Sequence, residues 1–182
     1  MSEKFALFFN GGKDSTVLLH LIEQKIPNVL IVYIENDDEF PEMKEYVDTM
    51  LSSREKVLRY NNTSMKAVIE DITKCNGITH IYTGIRRTDP YGSKTDYIKE
   101  TDSDWPRVYL VNPLLDWTYT DIWDYIFKNK LKYCSLYDKG YTSLGTTKNT
   151  IKNVFLLKAP NTSEYLPAYM LSDTTQERCG RF

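Results

Sequence analysis

The apolar run Phe5-Ala6-Leu7-Phe8-Phe9 stops at Asn10-Gly11-Gly12, and Val17, Leu18, Leu19, Leu21 and Ile22 then follow at helical spacing. An apolar run without alternation reads as a strand buried on both faces, which is the habit of parallel sheets. A helix is expected from Ser15 to just before Pro27, and residues 29–34 form a second apolar run. Pro41 suits the first position of a helix reaching about Leu51. Residues 56–60 predict a weaker third strand. Thr63 or Ser64 is placed to cap a helix to about Lys74, with Gly77 just past its end. Residues 79–83 predict a fourth strand. Strands alternating with helices over short connections imply an α/β fold, a mostly parallel sheet with helices on both faces.

In such sheets ligands bind beyond the carboxyl ends of the strands, so the loops after Phe9, Ile34 and Thr83 are the ones to inspect. The pattern changes after Gly84. A loop of about twenty residues leads to the apolar run at 108–111, and a helix is expected from 116–121 onward carrying Ile122, Trp123, Tyr125, Ile126 and Phe127. Regular periodicity is weak from Tyr133. With 182 residues, no internal repeat and no linker, the chain reads as a single domain over 1–182 with an irregular, aromatic-rich C-terminal part.

Composition removes several classes of function. The 23 basic and 25 acidic residues leave a net charge of −2, so no basic surface for nucleic acid is expected. Cys75, Cys134 and Cys179 lie far apart with no C-x-x-C pair, and there are only two histidines, His20 and His80, expected to be structural. The start is too short and mixed for a signal peptide, and no apolar stretch is long enough to span a membrane. A cytoplasmic, monomeric protein without membrane or nucleic-acid partners is expected. The unusual count is aromatic, with 3 Trp, 14 Tyr and 7 Phe. Thirteen of these fall between Tyr82 and Tyr141, an excess that suits a ring-shaped ligand set in an aromatic-rich core.

Two motifs face the expected crevice. Phe9-Asn10-Gly11-Gly12-Lys13-Asp14-Ser15-Thr16 joins strand to helix, and its glycines let backbone N–H groups turn toward an anion at the helix N-terminus. It is not a Walker A loop, which needs Gly where Leu7 stands. Asp14 inside a phosphate loop points to magnesium, to a ribose hydroxyl or to a cap at Ser15 and Thr16. After the fourth strand comes Thr83-Gly84-Ile85-Arg86-Arg87-Thr88-Asp89-Pro90-Tyr91-Gly92, whose paired arginines suit bidentate phosphate contacts.

The loop is similar to the S-G-G-x-D-S loop of the ATP pyrophosphatases, with Asn10 in place of the first serine. Taken with G-I-R-R-T-D-P at 84–90, T-D-S-D-W-P at 101–106, P-L-L-D-W at 113–117, G-Y-T-S-L-G at 140–145 and E-R-C-G-R at 177–181, the chain resembles the eukaryotic-type FAD synthetases, or FMN adenylyltransferases. These are a branch of the PAPS reductase-like, PP-loop superfamily, so the resemblance implies a Rossmann-like fold of the adenine nucleotide alpha hydrolase type. It also implies transfer of AMP from MgATP to FMN, giving FAD and pyrophosphate. Residues 1–83 would then form the ATP-binding part and 84–182 the flavin-binding part.

By the same resemblance, Phe9, Asn10, Gly11, Gly12, Lys13, Asp14, Ser15, Ile34 and Arg86 are expected at ATP, and Gly84, Ile85, Arg86, Arg87, Asp89, Asp102 and Trp105 at the flavin. Asn10, Asp14, Asp89, Arg178 and Arg181 are the expected catalytic set. Mg²⁺ would be held through substrate phosphates, with Asn10 or Asp89 as a protein ligand. Trp105 is the first stacking candidate, while Trp117 and Trp123 read as core. Only nine residues precede Asn10, fewer than in many members, so any substrate contact from a longer N-terminal segment is expected to be absent or replaced.

Other readings have less support in the residues. The acidic run 35–39 reads as a solvated loop, although backbone near Ile34 is placed to read adenine. A sulfonucleotide reductase would carry E-C-G-x-H at its C-terminus, whereas Glu177 stands one residue too far from Cys179 and no His follows Gly180. A non-catalytic flavin or nucleotide carrier would not need Asn10, Asp14, Asp89, Arg178 and Arg181 together. FMN carries a phosphate whose second pKa is near ~6, already nucleophilic at neutral pH, so the scarcity of histidine is no obstacle to adenylyl transfer.

Overall fold

A computed structural model describes residues 3–160 and 162–182. Six strands form one sheet: β1 (Phe5–Phe8), β2 (Leu30–Glu35), β3 (Val57–Asn61), β4 (His80–Tyr82), β5 (Ile98–Glu100) and β6 (Tyr109–Val111), in the order β3-β2-β1-β4-β6-β5. All neighbours are parallel except β5, which runs antiparallel to β6 at the edge, pairing Lys99 with Leu110. β5 is not foreshadowed by the sequence. Its Ile-Lys-Glu has no apolar run, and its backbone pairing with β6 is what makes it a strand.

Side chains alternate across the sheet with a period of two. Leu7, Phe9, Ile31 and Tyr33 face one core, and Ala6, Val32 and Ile81 face the other. Helices α1 (Lys13–Glu23), α2 (Pro41–Leu51) and α4 (Tyr119–Lys128) pack on the first face, and α3 (Met65–Asn76) packs on the second. The expected two-sided cover is therefore present.

Local chemistry explains the boundaries. Ser64 caps α3 by accepting from the Ala67 N–H, and Gly77 ends it in the left-handed region at φ +68. Thr118 and Asp121 form a reciprocal capping box at α4, whose Tyr119, Ile122, Trp123 and Ile126 are buried at helical spacing. α1 starts at Lys13, two residues before Ser15, with Gly12 at its N-cap and no side-chain cap. The capping role considered for Asp14 is therefore not the one it plays.

The aromatic excess divides unequally. Trp123 packs edge-on against Tyr133 and Tyr137 at centroid distances of 5.2 and 5.4 Å, with Phe127 and Tyr169 beside it. These rings build the core around α4, and only a few aromatics from the second half reach the sheet's ligand end. His20 accepts or donates to the Tyr125 hydroxyl at 2.8 Å, and His80 lies among Phe5 and Tyr109, both in structural roles.

Candidate active site

The carboxyl ends of β1, β2 and β4 open into a cavity of about 980 Å³. That is near the upper end for small-molecule sites. One wall is the phosphate loop, with Phe9, Asn10, Gly12, Lys13, Asp14 and Ser15, joined by Ile34 from β2. Gly84, Ile85 and Asp89, which follow the neighbouring strand β4, line the cavity beside that loop, and Asp102 and Trp105 line it as well. Arg178 and Arg181 complete it from the C-terminal segment. Most of the residues expected from sequence therefore converge on one space.

The loop is shaped from within. Gly11 sits at φ +75, and a Cβ there would lie 2.3 Å from the Met43 sulfur, so only glycine fits its packing on α2. Gly11 supports the loop from behind and is not on the cavity wall. Asn10 Oδ1 accepts from the Gly12 N–H at 3.0 Å and from the Ser15 hydroxyl at 2.8 Å. In this arrangement Asn10 braces the loop from within. The Lys13 N–H donates to the Tyr137 hydroxyl at 2.9 Å, tying α1 to the second half of the chain. At Gly84 an added Cβ would stand 3.3 Å from the backbone of Asp14 and Ser15, so the absence of a side chain lets the two motifs touch.

The paired arginines depart from expectation. Arg86 is 1% exposed and is not on the cavity wall; Nη2 donates to both Glu177 oxygens at 2.5 Å, and Nε lies 2.6 Å from Asp14 Oδ1. Arg87 points outward to Asp116 on the surface. Each side chain has a carboxylate partner brought to it by the fold, and Arg86 Nη1 is buried without a partner. Lys13 is also engaged, 2.5 Å from Glu177 Oε1 and 3.0 Å from Asp14 Oδ2. Burial alone would pull the Lys13 ammonium down, but Asp14 and Glu177 outweigh it and raise it above its ordinary value. Burial likewise works to raise the Asp14 carboxyl, yet Lys13 and Arg86 hold it below the usual carboxylate range.

Asp89 accepts from the Arg86 N–H at 2.9 Å, and its other oxygen takes Arg178 at 3.3 Å. Arg181 donates to the Leu144 carbonyl and pairs with no carboxylate among the described residues. Burial and the neighbouring Arg178 pull its guanidinium below the ordinary value. Around the phosphate loop, four cations (Lys13, Arg86, Arg178, Arg181) face three carboxylates (Asp14, Asp89, Glu177), and the excess positive charge sits on Arg181.

Sequence reasoning did not assign several of the supporting residues. Glu177 belonged to a quoted motif without a role of its own. Asn112, fully buried, accepts from the Thr83 hydroxyl and donates to the Asp96 carbonyl, fixing the turn after β4. Asn153 donates to Thr142 and to the Gln176 carbonyl, which seats the C-terminal segment. Leu144, Gly145 and Thr146 line the cavity beside Arg181, and Met65 and Ile69 of α3 stand on the same wall as Trp105. Cys179 is not on the wall; its thiol donates to Gln176 Oε1 at 2.8 Å. That geometry gives no place to the nucleophilic cysteine of a sulfonucleotide reductase.

Known proteins resemble this chain in sequence and in fold. The family model described as phosphoadenosine phosphosulfate reductase domain matches residues 4–152. A protein of Schizosaccharomyces pombe named "Probable FAD synthase" is 38% identical over 98% of this chain and 72% of its own length. A "Probable FAD synthase" of Caenorhabditis elegans is 41% identical over 98% of this chain but only 37% of its own length, so the chain spans little more than a third of that relative. The crystal structure of Candida glabrata FMN adenylyltransferase in complex with FAD and inorganic pyrophosphate superposes with a TM-score of 0.87 at 25% identity, covering 98% of this chain and 81% of that one. On the matched domain and the whole-length likeness together, this chain belongs to the phosphoadenosine phosphosulfate reductase domain family and, within it, to the FAD synthases.

Proposed function

We propose that this chain is an FMN adenylyltransferase, a nucleotidyltransferase that joins AMP from ATP to FMN and releases pyrophosphate. The observation that carries the reading is the cavity of about 980 Å³ that brings the phosphate loop, Asp89, Asp102, Trp105, Arg178 and Arg181 together in one lining. ATP would lie along the phosphate loop with its adenine toward Ile34, and FMN beside Asp89 with its ring at Trp105.

In the reaction an oxygen of the FMN phosphate forms a bond to the α-phosphorus of ATP. The bond from that phosphorus to the bridging α–β oxygen breaks, and pyrophosphate leaves with the electron pair. No side chain needs to remove a proton, because the attacking phosphate is already ionised near neutral pH. The protein's part is alignment and charge stabilisation. Because the Gly12 and Lys13 N–H groups already donate to Asn10 and Tyr137, it is the Asp14 and Ser15 N–H groups at the start of α1 that meet the β and γ phosphates, and Arg181 offers its unpaired charge to the reacting phosphates. Arg178, steadied by Asp89, closes the same side. Trp105 and Asp102 orient the ring and so fix the attacking phosphate.

No cluster of three His, Cys, Asp or Glu side chains suited to a metal occurs among the described residues. A magnesium ion would enter with the triphosphate, and Asp89 on the cavity wall would hold it by exchanging its 3.3 Å contact with Arg178, while its other oxygen stays on the Arg86 N–H. When bound, magnesium would neutralise charge on the phosphate oxygens. Action as a monomer in the cytoplasm belongs to the same proposal. Three unpaired cysteines suit a reducing compartment. No helix among the described residues is long and apolar enough to cross a membrane.

The test is to incubate the protein with FMN, ATP and magnesium and to separate the flavins by chromatography. FAD appearing in step with pyrophosphate is the expected result. FMN that binds and stays unchanged would overturn the reading.

A further inference from the structure

Lys13 occupies the phosphate loop, where a lysine ordinarily meets phosphate as a point charge. Here its side chain is 2% exposed and its ammonium is turned inward, 5.2 Å from the centroid of the Tyr119 ring. Together with Asp14, Arg86 and Glu177 it closes a ring of four ion pairs: Lys13 to Glu177 at 2.5 Å, Glu177 to Arg86 at 2.5 Å, Arg86 to Asp14 at 2.6 Å, and Asp14 to Lys13 at 3.0 Å. Two cations and two carboxylates cancel. The floor beneath the phosphate loop is electrically balanced although it contains a lysine and an arginine.

Glu177 is the member that achieves the balance from outside the loop. It touches both cations, and without it Lys13 and Arg86 would face Asp14 alone. The backbone around it is held by other means: Thr142 donates to the Glu177 carbonyl at 2.6 Å, Asn153 to the Gln176 carbonyl at 2.8 Å, and the Ile151 N–H to the Gly180 carbonyl at 2.9 Å. The side chain's contribution is therefore separable from the seating of the segment. We infer that Glu177 is a positioning residue that keeps the Lys13 charge away from the phosphates and thereby sets how tightly pyrophosphate is held. This rests on the adenylyltransferase reading, in which pyrophosphate is the product that must leave this floor. A floor with one uncompensated positive charge would retain a highly charged anion, and the balanced ring lets it go.

The inference separates cleanly from a direct phosphate contact by Lys13. Calorimetric binding of inorganic pyrophosphate with magnesium is measured for the wild type, Lys13→Met, Glu177→Gln and the double variant. Glu177→Gln is expected to bind pyrophosphate about tenfold tighter and Lys13→Met about tenfold weaker, the effect of one charge at close range in a partly screened site. In the double variant the floor is balanced again, and affinity is expected to return to within about threefold of wild type. A double variant as weak as Lys13→Met overturns the inference, since Lys13 would then be a ligand in its own right. If Glu177→Gln alone does not fold, the double variant decides. Its failure to fold would also overturn the inference, which holds a balanced floor to be sufficient. Wild-type protein that neither binds pyrophosphate nor makes FAD overturns the functional reading instead, so the two failures are told apart.

Discussion

Replacing Arg181 with methionine removes the one cation near the phosphate loop that has no carboxylate partner among the described residues. Its guanidinium is held by a hydrogen bond to the Leu144 carbonyl, while Nε is buried without a partner. The first contact stabilises the fold by about 1.5–3 kcal/mol, as bonds to charged groups do, and the orphaned Nε costs about 1–3 kcal/mol. The two offset, and methionine refills most of the volume, so stability should change by no more than about 1 kcal/mol. In a domain of this size that is a shift of roughly 2–4 °C in melting temperature. The effect on catalysis has no such offset. Loss of one preorganised donor to the developing charge typically costs about 2.7–4 kcal/mol of transition-state stabilisation, or ~10²–10³ in kcat. Steady-state formation of FAD, read by chromatography, and a thermal melt followed by circular dichroism measure the two quantities on one preparation. Turnover reduced less than about tenfold would refute the role given to Arg181, by the same scale of donor contributions. A melting temperature lowered by far more than a few degrees would show the residue to be structural.

Gly145→Ala tests the same arginine without changing charge, since a Cβ there would lie 2.4 Å from Arg181 Nη2 and 2.6 Å from Asn149 Oδ1. The guanidinium must move, and FAD formation should fall by roughly tenfold or more while the melt shifts little. Tyr137→Phe leaves the Lys13 N–H without its acceptor at the start of α1, and urea unfolding should show a loss of about 1–3 kcal/mol. Under native conditions Ellman's reagent should titrate Cys75 and Cys179 and reach Cys134 only after unfolding, because Cys134 is buried and the other two are exposed. Burial also pushes the Cys134 thiol up to about 11 from an ordinary 9.0. The folded protein thus keeps a proton that the unfolded chain releases from about pH 9. Stability from this thiol is full below pH 9 and declines as pH rises toward 11, a trend that Cys134→Ala should flatten.

Much of the fold was legible because its signals are local. Phe5–Phe8 and Leu30–Glu35 announce buried strands by uninterrupted apolar residues, and Gly77 marks a helix end by the conformation only glycine adopts easily. β5 was not legible, because Ile98–Glu100 becomes a strand only through β6 beside it. The density of aromatics between Tyr82 and Tyr141 was visible, but most of those rings were assigned by packing to the core around α4.

The sequence by itself determined the alternation of the first four strands with three helices, the phosphate loop at the carboxyl end of the first strand, and the second motif after the fourth. These follow from residue spacing and from what glycine, proline and apolar runs allow the backbone to do. Only the tertiary structure decided which charges are free. Arg86 and Arg87 are identical neighbours in the chain, yet one is buried against Glu177 and Asp14 and the other reaches Asp116 at the surface. Lys13 meets Glu177 across 164 positions of sequence. Pairing energy depends on distance through space and on the water excluded between the partners. Neither is written in sequence spacing, and so only the folded chain decides that Arg181 is the cation near the phosphate loop left without a carboxylate partner among the described residues.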